Sequence, residues 1–174
     1  MDFKRFMKKE RIIWHKHFLP SFFAAIIVAV LSFAFEITIS NIILFASVGA
    51  SAVILTNSTS HHLTRLHVVI VSYVIAIVVS YLIYFLNITV PIHMSINIFS
   101  TIFLVGILLY LSNSFHPPAI TASLSFLLLE RQAIDLVYLF ISVILMLIAV
   151  RFVTYTIIQE LPLKKFLKEF KRSF

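Results

Sequence analysis

The chain has 174 residues, 61% of them hydrophobic and 12% charged, with a net charge of +7. Soluble domains average about 45–50% apolar and about 25% charged residues. A chain this poor in charge lacks the surface to face water, which excludes a soluble globular domain and calls for lipid as its solvent.

The first stretch, 1–17, is basic, with Lys4, Arg5, Lys8, Lys9, Arg11 and Lys16, and Phe3, Phe6 and Met7 at helical spacing. The last, 160–174, repeats the pattern with Lys164, Lys165, Lys168, Lys171 and Arg172 around Leu163, Phe166, Leu167 and Phe170. Both are expected to lie on the membrane surface, their cations on anionic headgroups. Basic clusters flanking apolar spans are the positive-inside signal, so both termini are expected in the cytoplasm, and nucleic acid is not the expected partner. The first apolar run is too long for a cleavable signal and lacks a small-residue cleavage site. A multi-pass protein of a prokaryotic cytoplasmic membrane is the expectation.

Between these tails, 18–159 forms the expected transmembrane domain of six apolar segments. They run about Phe18–Ile39, Asn41–Thr56, Leu63–Leu86, Ser95–Leu111, Pro117–Leu129 and Ile134–Ile158. A span needs about 20 residues, which the first, third and sixth supply and the fourth nearly does. At 1.5 Å per residue the second and fifth reach only about 24 Å and about 20 Å. These short segments gather the small and hydroxyl residues: Ser47, Gly49, Ser51 and Thr56, then Thr121, Ser123 and Ser125.

The order long, short, long occurs twice and suggests an internal repeat with halves about 18–86 and 92–159. A shift of seventy positions sets Phe45 on Phe115, Ser51 on Thr121 and Ala52 on Ala122. Three crossings per half would invert the second half relative to the first and return the C-terminus to the cytoplasm. The expected fold class is therefore an all-α polytopic bundle of two inverted repeats, each with a short or broken helix. The alternative is four spans plus two re-entrant segments. An inverted repeat with an interrupted segment in each half points to a binding site near the membrane midplane.

The sharpest local signal is Ser112-Asn113-Ser114-Phe115-His116-Pro117-Pro118-Ala119. Two prolines cannot continue a helix but suit the first turn of a new one. Non-helical backbone is expected near Asn113–His116, with a short helix opening at Pro117 or Pro118. A helix N-terminus inside the membrane favours an anion. The amides of Ala119 and Ile120 are the expected donors, with Asn113, His116 and Thr121 nearby. In the second segment, Gly49 permits close backbone approach, and Ser47 and Ser51 share one helix face.

His116-Pro117-Pro118-Ala119 with Thr121, and Gly49-Ala50-Ser51-Ala52-Val53 before it, resembles the HPP family of integral membrane proteins. The resemblance covers most of the chain. It implies a helical membrane domain, usually described with four spans, and a transporter; some members, from cyanobacteria and chloroplasts, are linked to nitrite. Ile120 stands where the family commonly has glycine, and Arg65 is what remains of a Pro-Arg stretch rich in glycine.

Other residues carry plainer readings. Arg65 is expected to anchor the cytoplasmic end of the third segment or to draw anions to the inner mouth. Arg151 is expected as an anchor, Glu36 as a solvated end residue, and Glu130, Arg131 and Asp135 as a charged turn. His15, His17, His61, His62, His67, His93 and His116 show no metal-site spacing, and cysteine is absent, so no metal and no other cofactor is expected. Neither a Ser/His/Asp set nor paired intramembrane carboxylates suggest an enzyme. No nucleotide motif suggests pumping. What remains is a transporter or channel for a small monovalent anion such as nitrite, self-associating if six short segments cannot enclose a path alone. A non-transporting scaffold or partner subunit is the alternative.

Overall fold

The computed structural model describes residues 19–36, 45–56, 65–90, 92–128 and 132–153. Among them it is all-helical: α1 Leu19–Glu36, α2 Phe45–Thr56, α3 Leu66–Thr89, α4 Met94–Leu111, α5 Pro117–Leu128 and α6 Ala133–Val153. The six helices fall on the six expected segments. The basic tails, the 57–62 connection and the pair Glu130 and Arg131 lie outside the described residues. Among the described residues, α3, α4 and α6 are long and apolar enough to cross a membrane. The apolar stretches Ser21–Leu31, Ala46–Leu55 and Pro117–Leu128 are shorter.

Around an apolar core the bundle turns many large apolar side chains outward and buries a set of hydroxyls. Phe22, Phe33, Phe85, Phe99, Phe103 and Leu111 are exposed, whereas Ser47, Ser51, Ser72, Ser80, Thr101, Ser123 and Ser142 are buried. In lipid no hydrophobic force drives helices together, so close packing of small residues and hydrogen bonds between helices take its place. α3 shows the pattern directly: Ser72, Ala76 and Ser80, four residues apart, are all buried. Ala24, Ala52, Ala119 and Ala122 serve α1, α2 and α5 in the same way.

Local chemistry sets the helix ends. α3 runs past the expected Leu86 because the Thr89 hydroxyl donates to the Leu86 carbonyl at 2.9 Å and the Val90 amide to the same oxygen at 2.8 Å. Asn87 then closes the turn into α4, accepting from the Ile92 amide and the Asn97 side chain, both at 3.1 Å. α4 ends in a Schellman motif: the Asn113 amide bonds the Tyr110 carbonyl at 3.1 Å and the Ser114 amide the Leu109 carbonyl at 3.0 Å. Asn113 supplies the left-handed residue the motif needs, at φ 51°. Asparagine tolerates that conformation better than any other residue except glycine.

Contacts along α3 fix how its neighbours run. Asn87 meets Asn97 at one end and Ser72 meets the Ser114 carbonyl near the other, so α4 is antiparallel to α3. Tyr73 faces His116, Ser123 donates to the Ala76 carbonyl at 3.2 Å, and Tyr84 packs edge-on against Phe126. α5 is therefore parallel to α3 and begins level with Tyr73. That level is seven residues beyond Leu66, about 10 Å along the helix axis. The turn between α4 and α5 thus lies within the depth of the bundle.

The two halves pack alike. α1 rests on α2 as α4 rests on α5, within the halves; between them, α3 packs on α5 as α6 on α2, α3 on α4 as α6 on α1, and α2 meets α5 and α3 meets α6, each the other's counterpart. Seventy positions relate the buried Leu66, Val69, Ser72, Tyr73, Ala76 and Ser80 of α3 to the buried Leu136, Leu139, Ser142, Val143, Met146 and Val150 of α6. The short helices depart from that register. Ser51 is buried but Thr121 is exposed, and Ser47, Val48, Ser51, Ala52 and Leu55 match the buried Pro118, Ala119, Ala122, Ser123 and Phe126 one residue later. One residue turns a helix by about 100°, enough to move Thr121 to the outer face.

Candidate functional site

α2, α3 and the start of α5 meet around three polar side chains that are fully buried: Ser51, Tyr73 and His116, each 0% exposed. Ser51 is the hub. Its hydroxyl lies 2.9 Å from the Ser47 carbonyl, 2.9 Å from the Tyr73 hydroxyl and 2.8 Å from His116 Nε2. Tyr73 also bonds the Ser47 side chain, and its ring tilts toward the imidazole at 6.0 Å.

The sequence explains each placement. Ser47 and Ser51 stand one turn apart, so one helix face carries both. His116 precedes Pro117 and Pro118, neither of which can donate an amide, and its own carbonyl accepts from the Ala119 amide at 3.0 Å. Ser72, adjacent to Tyr73, holds the turn: its hydroxyl contacts the Ser114 carbonyl and the Val68 carbonyl, and Ser112 and Ser114 bond each other.

Hydrogen-bond counting leaves two arrangements. Ser51 has one proton: where it goes to the Ser47 carbonyl, Ser51 accepts from Tyr73 O–H and from His116 Nε2–H, and where it goes to Nε2 the imidazole proton sits on Nδ1. Only the first makes all three contacts hydrogen bonds, and it uses both lone pairs of Ser51. His116 Nδ1 is left buried with no protein partner.

Of the residues singled out in the sequence, the structure brings together Ser47, Ser51 and His116, with Pro118 and Ala119 buried beside them. The Ala119 amide is not free for an anion, because it caps onto the His116 carbonyl. Asn113, Pro117 and Thr121 are exposed, and Asn113 caps α4 instead of lining the cluster. Gly49 faces Val28 of α1, where an added methyl group would sit at 3.7 Å, an ordinary contact. Arg65 is the exposed N-cap residue of α3, below the cluster.

Sequence reasoning missed Tyr73 and Ser72. One signal was available: tyrosines of membrane helices concentrate at the interfaces, and Tyr73 sits well inside its segment.

The sequence model of the family described as HPP, transmembrane region, matches residues 7–164. The chain belongs to the HPP family. The match runs through all six helices, and the His-Pro-Pro run from which the resemblance was drawn is the run that delivers His116 to Ser51. No curated relative and no solved structure matches this HPP protein. Its family and its apolar helices make it a membrane protein.

Proposed function

We propose that this protein is a transporter for a small monovalent anion such as nitrite, and that the anion binds where α2, α3 and α5 meet. The observation that carries the reading is the buried cluster of Ser51, Tyr73 and His116 with an unpartnered His116 Nδ1. Buried polar groups without partners cost about 1–3 kcal/mol each, and a protein that keeps one at membrane depth has a use for it. The one buried ring atom without a partner, Nδ1, can gain a proton and become a cationic donor, and none of the described carboxylates is among the cluster's members, which suits an anion better than a cation.

The like packing of the halves supports two inverted repeats, with the site between their short helices. On this reading the protein resides in a cytoplasmic membrane with both termini inside. It performs no catalysis, and its basic tails meet anionic lipid.

The test is nitrite flux into liposomes holding the purified protein, comparing wild type with His116→Ala. Saturable flux that collapses in a folded His116→Ala variant is the expected result. No flux of nitrite, nitrate, formate or chloride from folded wild type would leave the protein as a scaffold or partner subunit.

A further inference from the structure

The donor assignment around Ser51 has a chemical outcome for His116. With Nε2–H committed to Ser51, a neutral ring presents a bare lone pair at Nδ1. A lone pair repels an anion. Once Nδ1 takes a proton, the same atom becomes an N–H donor and the ring carries a positive charge.

Among the described residues, the surroundings offer no other countercharge. The ring meets Ser51 of α2 and Tyr73 of α3; Ser47 joins through Tyr73, and Ser72 and Ser114 bond each other where the α4–α5 turn meets α3. Tyr73 is the titratable side chain that meets the imidazole. The described charged side chains stand at helix ends: Arg65 at the start of α3, Asp135 in the first turn of α6 and Arg151 in its last. An anion entering beside neutral His116 would be a buried unpaired charge, which costs several kcal/mol after relaxation. An anion entering with a proton forms a neutral pair.

We propose that the anion and one proton bind together, the proton on His116 Nδ1, so that the protein is a proton–anion symporter of one-to-one stoichiometry. This rests on the anion reading above and names its coupling ion. The balance is simple. The ring gains one positive charge and the anion brings one negative charge; on release the proton leaves Nδ1 and the Nε2–H bond to Ser51 remains. Transport is then electroneutral.

Two measurements test this. In liposomes, with protein-free vesicles as the blank for passage of the neutral acid, nitrite entry should speed up several-fold when the outside is acid at zero membrane potential. It should not respond to an imposed potential at equal pH. His116→Gln, whose side-chain amide can still donate to Ser51, should remain folded by thermal unfolding and lose the response to the pH gradient. Entry that follows membrane potential and ignores the pH gradient overturns the symport while leaving an anion path. Absence of any anion flux in wild type overturns both.

The second measurement is independent of flux. Nitrogen-15 spectra of histidine-labelled protein, with the His116→Gln spectrum identifying the resonance, should show His116 neutral with its proton on Nε2, and a protonated ring when nitrite is added. A proton on Nδ1 in the neutral ring overturns the proposal.

Discussion

Ser51 shows how much one hydroxyl decides. Its three contacts exceed what a single O–H can donate, and all three are hydrogen bonds only when Tyr73 and His116 are the donors. Tyr73→Phe removes one of them at little cost in volume and leaves one lone pair of Ser51 without a donor. A lost hydrogen bond of about 1–1.5 kcal/mol corresponds to roughly tenfold in an equilibrium constant, so apparent anion affinity should fall by about that factor, read as a raised half-saturation in flux. Gly49 makes the opposite case. Its added methyl would make ordinary contact with Val28, so Gly49→Ala should change neither flux nor unfolding by more than about 0.5 kcal/mol. At Asn113 the backbone is decisive: Asn113→Val should cost about 1–2 kcal/mol, whereas Asn113→Gly keeps the turn, as thermal unfolding in detergent would show.

Helices were legible where hydropathy and proline carry them. The six segments and the opening of α5 at Pro117 follow from apolar length and from what two prolines forbid. Less legible was anything that depends on rotation about a helix axis. The mean pattern in these helices is apolar all round, so no amphipathic stripe marks which side of α5 faces in, and Thr121 could be told from Ser123 only in the folded chain. Tyr73 was hidden for the same reason: apolar neighbours surround it in sequence, and its partners are 22 residues away on α2 and beyond α4. The α4–α5 turn depends on Ser72 as well as on its own cap. Ser72→Ala should loosen it, with faster amide exchange at Ser114 and a stability loss of about 0.6 kcal/mol, the average for hydrogen bonds between membrane helices, and no more than about 1.7 kcal/mol.

For the whole molecule, lipid loosens the usual arrangement: among the described residues most phenylalanines are outside, and seven serines are buried beside an apolar core. The two ends of α3 offer a direct check on sidedness, because Arg65 and Val90 are both exposed and no native cysteine interferes. Arg65→Cys should react with a membrane-impermeant thiol reagent from the cytoplasmic side and Val90→Cys from the opposite side. Reaction of both from one side would show that α3 does not cross. The matching burial of α3 and α6, seventy positions apart, was foreshadowed by segment lengths. The one-residue offset of the short helices was not, since insertions inside a turn leave hydropathy unchanged.

Ser51, Tyr73 and His116 have no opening to either bath in this conformation. On the proposed reading helices must rearrange before each cargo leaves, and such motions take microseconds to milliseconds, on the order of 10³ to 10⁶ cycles per second at most. Electrical recordings of single molecules would then be silent, while isotope exchange across the same membrane would be brisk.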